Sequence, residues 1–200
     1  MICFLQNLAS RFFAREAVNE SLATRVHLHA IPETVWNHTM FYEDVPGRPS
    51  FLLRLLLPQP VATEGDKARV GACVHCTYSA GGLTKRILTS EPPHLVRFEV
   101  IEQHLGIEGC IQATDGSYQF RRQGEGTEVV LTTNYRAYLY PRQLWRPLEK
   151  LLAGQLHHHI LDGMRLAIDR VSRAAVETRT LKTIPVGELD CSASQSPTRH

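Results

Sequence analysis

Two short runs carry side chains able to hold a metal or move protons. Cys73-Val74-His75-Cys76 has the CxxC spacing common to metal and redox sites, and His157-His158-His159 puts three imidazoles in a row. In an extended strand, however, residues three apart point to opposite faces with Cα atoms roughly 10 Å apart, too far for a disulfide. Only a bulge or turn at Val74 would bring the two thiols together. Neighbours on a helix diverge by about 100°, so three consecutive histidines do not converge on one tetrahedral metal. We therefore expect no metal and no cofactor.

One of the three histidines is expected to differ from the others. At about 100° per residue the surrounding helix places Leu148, Leu152, Gln155, Leu156, His159 and Gly163 on one face and turns His157 and His158 towards solvent. A polar His159 on a buried face needs a hydrogen-bond partner, for which Tyr135, Thr133, a water or the polar end of a ligand are the candidates. A satisfied core histidine is the plainer alternative. Gly163 on that face costs about 1 kcal/mol of helix propensity against Ala, which suits either a close strand approach or open volume.

These residues depend on the elements that carry them. GTEVVLTTNYRAYLYP, from Gly126, alternates like a strand, and RQLWRPLEKLLAGQLHHHILDGMRLAIDRV repeats its apolar residues at helical spacing for about eight turns. Thr24 to Ile31 alternates as a strand. Pro32 opens a helix through PETVWNHTMFYED, because its missing N–H would be unpaired in a first turn, and Phe51 to Leu57 makes a second short apolar segment. From Arg69 to Tyr140, strand patterns alternate with turn signals and no helical stretch intervenes, which predicts an antiparallel meander.

Strand alternation assigns an inner face: Val26 and Leu28; Ala72, Val74, Cys76 and Tyr78; Val96, Phe98 and Val100; Tyr118 and Phe120; Val129, Leu131, Thr133 and Tyr135. Leu95, Arg97, Glu99 and Glu128 fall on the outer face. Residues 1–20 are read as an amphipathic N-terminal helix or extension, with a membrane-surface or targeting role as the sharper alternative. Residues 24–176 form the domain, and 177–200 a partly disordered tail.

The order strand, two short helices, five or so strands, long helix resembles the helix-grip fold of the START-like or SRPBCC superfamily, the polyketide cyclase/dehydrase and lipid-transport type that includes Bet v 1-like proteins. VHLHAIPETVW resembles its first strand and helix entry, LTKRILTSEPPHLVRFEV its paired middle strands, and GTEVVLTTNYRAY its last strand. The resemblance spans roughly Arg25 to Val171. It implies an α+β chain in which a curved antiparallel sheet of six or seven strands wraps a long C-terminal helix around an apolar cavity. Phe51 to Leu57 would then lie near the cavity entrance, to gate it or touch a membrane, or would simply cap the barrel's end.

Composition narrows the partners. An apolar share of 43% and a formal charge of +2, with 22 Lys and Arg residues scattered along the chain, give no basic patch for nucleic acid. Five cysteines, an odd number and far apart except for the Cys73/Cys76 pair, with no secretory signal, point to free thiols in a cytoplasmic setting. Three functions remain. The first is binding of a small hydrophobic or amphipathic molecule such as a lipid, quinone or polyketide-like compound, held by Tyr78, Phe98, Val100, Tyr118, Phe120, Leu131, Thr133 and Tyr135 from the sheet and Leu152, Gln155, Leu156, His159 and Gly163 from the helix. The second is a cyclase, aromatase or dehydratase, with His159 as acid or base and Tyr135 or Tyr118 orienting a carbonyl. The third is an interaction or regulatory domain with a filled core.

Overall fold

The computed structural model describes residues 16–46 and 48–182, with side chains through Ala174. Seven strands form one antiparallel sheet: β1 (Val18–Leu28), β2 (Pro60–Glu64), β3 (Cys73–Tyr78), β4 (Gly81–Glu91), β5 (Leu95–His104), β6 (Ile111–Gln123) and β7 (Gly126–Ala137). Their spatial order is β1-β7-β6-β5-β4-β3-β2. The strands from β2 to β7 thus follow one another as a meander, while β1 closes against β7 along its whole length, from Val18↔Ala137 to Leu28↔Thr127. Between β1 and β2 run α1 (Pro32–Asn37), a 3₁₀ turn (Tyr42–Asp44) and α2 (Phe51–Leu56), and the chain continues past β7 into α3 (Arg142–Lys182).

Local chemistry accounts for these elements. Pro32 sits in the first turn of α1, as expected, and the helix stops at Asn37, where the His38 ring nitrogen bonds the carbonyl of Thr34 at 2.8 Å. The inner-face alternation is clear on β3, where Val74, Cys76 and Tyr78 are buried while Cys73, His75 and Thr77 are exposed. Cys73 and Cys76 are free thiols on opposite faces of this strand. Cys110, in contrast, is disulfide-bonded, which departs from the expectation of free thiols throughout.

Two β-bulges shape the wall that faces α3. Thr84 pairs Glu102 but Lys85 pairs Val100, leaving Ile101 extra on β5; Ala113 pairs Tyr135 but Asp115 pairs Asn134, leaving Thr114 extra on β6. Each extra residue reverses the facing parity beyond it. Gln103 and Leu105 therefore join Phe98 and Val100 on the inner face, and Ile111 and Ala113 join Tyr118. At the bend Gly116 is obligatory, because a Cβ there would come within 2.5 Å of Phe98 Cζ and 2.9 Å of the Thr132 carbonyl. Gly116→Ala is expected to cost about 1–3 kcal/mol through this overpacking and to push the Phe98 ring inwards. Chemical denaturation of the two proteins side by side measures it.

Several expectations are corrected at the ends of elements. β1 begins at Val18 rather than Thr24, so the last residues of the segment 1–20 belong to the sheet; residues 1–15 lie outside the described residues. The strand β2 has no counterpart in the sequence reading. The final helix runs to Lys182, six residues into the segment 177–200 read as a tail, and residues 183–200 lie outside the described residues. The chain divides into two compact units, one through Ile168 and one from Asp169 on; in the second, α3 continues as a helix whose residues Asp169 to Ala174 are exposed. Among the described residues no helix is long and apolar enough to cross a membrane.

Candidate functional site

In the first unit a cavity of about 180 Å³ lies between the concave face of the sheet and α3. Its apolar wall comes from Phe98 and Val100 on β5, Tyr118 on β6, Leu131 on β7, and Leu152, Leu156 and Ile160 on α3. Packing below this wall is dense. Phe120 stacks on Tyr118 at 6.3 Å between centroids and meets Trp36 of α1 edge-on at 5.6 Å, so it forms the floor and does not line the cavity. The lining residues that keep some exposure, among them Leu57, Pro58, Ile107, Ile111, Ala113 and Ala153, mark the rim; they lie just beyond α2, around the β5–β6 turn and on α3.

Two polar clusters stand at opposite sides of this apolar middle. On the β3–β4 side, Lys85 Nζ lies 2.9 Å from both carboxylate oxygens of Glu43, and the Tyr78 hydroxyl donates to the same carboxylate. The side chains of Lys85 and Glu43 are almost sealed from solvent, at 7% and 1% exposure. Burial opposes the Glu43 charge, but the Lys85 ammonium and the Tyr78 hydroxyl outweigh it and hold the carboxyl below its usual range. The Phe41 ring centroid lies 4.3 Å from the ammonium, a cation–π contact in a dry setting. Burial, with the Glu43 charge adding to it, pushes the Tyr78 phenol far up and Cys76 up to about 12, so neither ionises near neutrality.

On the β1–β7 side, Arg142 holds Glu149 in a two-pronged pair at 2.7 Å for each oxygen and reaches Glu20 at 3.2 Å, while Arg146 also binds Glu20. The hydrogen bonds it donates to Glu149 are the main reason the Arg142 guanidinium is held more firmly charged than usual. For Glu20 burial works against the charge, and the bonds from Arg142 and Arg146 overcome it and lower its pKa. Glu149 and the neighbouring Tyr135 line the cavity. Burial, then Glu149 and Glu20, raises the Tyr135 phenol to about 12.

The residues named from sequence divide between cavity and surroundings. Tyr78, Phe98, Val100, Tyr118, Leu131, Thr133, Tyr135, Leu152 and Leu156 line the cavity; Phe120, Gln155, His159 and Gly163 do not. The helix is rotated relative to the expected face. His157, expected in solvent, is buried and bonded through Nε2 to Thr133 Oγ1 and through Nδ1 to Thr24 Oγ1, both at 2.8 Å. His159 is half-buried and meets the Tyr42 ring edge-on at 5.8 Å. Gly163 faces neither a strand nor open volume: a Cβ there would lie 2.6 Å from Val45 Cγ1, in the turn after the 3₁₀ segment. Thr133 is bonded to a helix histidine, as one expected arrangement had it, but the histidine is His157.

Sequence reasoning passed over Glu43, Lys85, Glu149, Tyr42, Gln103 and Asp115. For Lys85 a signal existed. Leu83, Lys85 and Ile87 share strand parity and are all buried, so a lysine stood in a run of inward positions.

No protein-family model and no curated protein matches the sequence. Solved structures do match it in fold. A point mutant of norcoclaurine synthase from Thalictrum flavum, solved with a transition-state analogue, aligns with a TM-score of 0.55 at 13% identity over 79% of this chain and 99% of that one. The same enzyme solved with dopamine and hydroxybenzaldehyde gives 0.54 at 13% identity over 77% and 88%. A protein from Thermus thermophilus gives 0.51 at 19% identity over 76% and 99%. Together with the seven-stranded sheet and long final helix, these matches establish a Bet v 1-like, helix-grip fold for this chain.

Proposed function

We propose that the protein binds a small apolar or amphipathic molecule in the cavity between sheet and α3. The observation that carries this reading is the composition of the cavity wall: mostly aromatic and aliphatic side chains, with a few polar residues among them, Gln103, Asp115 and Thr133 besides the two charged clusters. A structure of the same fold that holds dopamine and hydroxybenzaldehyde supports it by analogy. An unfilled volume of about 180 Å³ speaks against the filled-core interaction domain. Phe51 and Leu55 are exposed one turn apart on α2, next to the rim residues Leu57 and Pro58, and this is where a peripheral membrane contact would form during ligand exchange.

Ala153 provides the test. It lines the rim and is only partly buried, so Ala153→Trp places an indole in the cavity without displacing a packed side chain. The expected outcome is loss of any co-purifying or added apolar ligand, followed by native mass spectrometry, with the melting temperature kept within a few degrees. Unchanged uptake of ligand by this variant would sink the reading.

The cyclase or dehydratase alternative keeps a specific support, moved from His159 to the Glu43–Lys85 pair. Glu43 held ionised beside the Lys85 ammonium, in a cavity, is an acid–base pair able to orient and polarise a carbonyl compound. Turnover of a bound carbonyl compound would distinguish it from simple binding.

A further inference from the structure

The sheet that walls the cavity is not laddered throughout. β5 pairs with β6 from Leu95↔Gln119 only as far as Glu99↔Asp115, although both strands continue: β5 stays on β4 to Gly82↔His104, and β6 stays on β7 back to Ile111↔Ala137. The two bulges account for this. Ile101 and Thr114, the extra residues of β5 and β6, stand just past the last pair, one on each strand, where a bulge ends pairing and bends its strand aside.

Beyond that point the two arms, residues 100–104 and 111–114, are joined by a side chain. Gln103 Nε2 donates to the Ile111 carbonyl at 3.0 Å, and the Ala113 N–H donates to Gln103 Oε1 at 2.9 Å. In a continuous ladder those two backbone groups would bond the main chain of a neighbouring strand; the Gln103 amide, with a donor and an acceptor side by side, takes its place. The gap opens onto the cavity. Val100 and Gln103 on one arm and Ile111 and Ala113 on the other all line it and keep partial exposure, in contrast to the buried Phe98 and Tyr118 of the laddered part of the same strands. Ile101, at the bulge, is 37% exposed and puts an apolar side chain at the outer lip.

We propose that this gap is the passage by which ligand enters and leaves the cavity, and that Gln103 is its latch. This rests on the binding reading and adds the route to it. Parting β5 from β6 here breaks two hydrogen bonds of one side chain, whereas an opening between β4 and β5 or between β6 and β7 would break ladders that run on past this level. The Asp115 carboxylate, at the closed end of the gap, has the neutral partners Asn134 and Thr114, so an uncharged probe separates the latch from electrostatics. A cavity of about 180 Å³ is slightly larger than the roughly 150 Å³ apolar cavity that admits benzene, which suits a fused bicyclic probe.

Entry and exit of 2-naphthol, followed by its fluorescence on stopped-flow mixing with the full chain, test the latch. Gln103→Ala removes both bonds, and Gln103→Glu, of the same size, lacks the donor for the Ile111 carbonyl at neutral pH. Each is expected to raise the association and dissociation rates together by about tenfold and to leave Kd within about threefold, because a latch sets the barrier and not the bound state. Leu57→Ala, which widens the rim beyond α2, should leave both rates within about threefold of wild type. In wild type without ligand, the Ala113 amide should exchange its hydrogen about tenfold faster than that of Tyr118 in the laddered part of β6, read by NMR. Equal protection of the two amides, wild-type rates in both Gln103 variants, or faster exchange of the probe in Leu57→Ala alone would each overturn the proposal while the container stands. A faster exit with unchanged entry, and Kd weakened in proportion, would make Gln103 a wall contact and overturn it as well. If wild type takes up no more 2-naphthol than Ala153→Trp does, the container reading falls with the proposal.

Discussion

Replacing Lys85 by methionine is expected to destabilise the protein by about 3–5 kcal/mol, the cost of leaving one member of a buried ion pair without the other. Glu43 would then be a carboxylate at 1% side-chain exposure with no cation beside it, held by the Tyr78 hydroxyl, the Cys76 thiol and a hydrogen bond from its own backbone. Its escape is to take up a proton, so the variant should regain part of its loss as the pH is lowered towards the carboxyl's raised value, the reverse of wild-type behaviour. In wild type the Glu43 carboxyl is held low, so its contribution is present above the unfolded value and disappears as the pH falls through the folded one. The double variant Lys85→Met/Glu43→Leu should recover most of the stability, because a buried pair replaced by apolar groups of similar size is often neutral or better. Tyr78 would remain short of an acceptor, leaving a residual cost of about 1 kcal/mol. Urea denaturation of the three proteins at neutral pH and near pH 5 decides the matter. A Lys85→Met protein as stable as wild type would mean that the pair is not formed in solution.

The positions of Lys85 and Glu43 also show where sequence reading reaches its limit in this fold. The apolar half of the inner face was legible, because Val74, Cys76 and Tyr78 alternate with Cys73, His75 and Thr77 on a strand without a bulge. The polar half was not. Glu20, Thr24 and Lys85 occupy inward positions and are stabilised only by partners distant in sequence, namely Arg142, His157 and Glu43. A residue that breaks an apolar alternation reads as the end of a strand, which is why the pattern puts the start of β1 at Thr24 instead of Val18. Bulges hid others: nothing in the order of residues marks Ile101 or Thr114 as the extra one, so Gln103 and Ala113 could not be assigned to the cavity. On α3, Leu152, Leu156 and Ile160 fit either of two neighbouring faces. The choice between His157 and His159 depended on a rotation of two residues, which only the packing of the helix on the sheet sets.

His157 supplies the second large effect, and its sign is opposite to that of a surface histidine in an ion pair. Its two ring nitrogens face the hydroxyls of Thr24 on β1 and Thr133 on β7, so it ties α3 to the two strands that close the sheet. A neutral imidazole fits this arrangement: one nitrogen donates, the other accepts, and either hydroxyl can take the matching role. A charged ring would have two donors, no carboxylate beside it, and burial against it. Burial first, and His158 next to it, bring its pKa down from 6.5 to about 4. The folded protein therefore binds fewer protons than the unfolded chain in that window. The stabilisation is complete above about 6.5, is lost as the pH falls towards about 4, and levels off below, a total of roughly 3 kcal/mol. His159 is lowered by burial against the opposing pull of Asp162 and adds a contribution of the same sign, so the comparison must be made with a variant. His157→Gln keeps a donor and an acceptor but cannot titrate; it should cost about 1–2 kcal/mol at pH 7.5 and narrow its gap to wild type as the pH falls, with the two curves crossing near pH 5. Denaturation curves of both proteins between pH 4 and 8 provide the comparison. If the gap stayed constant across that range, His157 would not be the buried neutral link between helix and sheet.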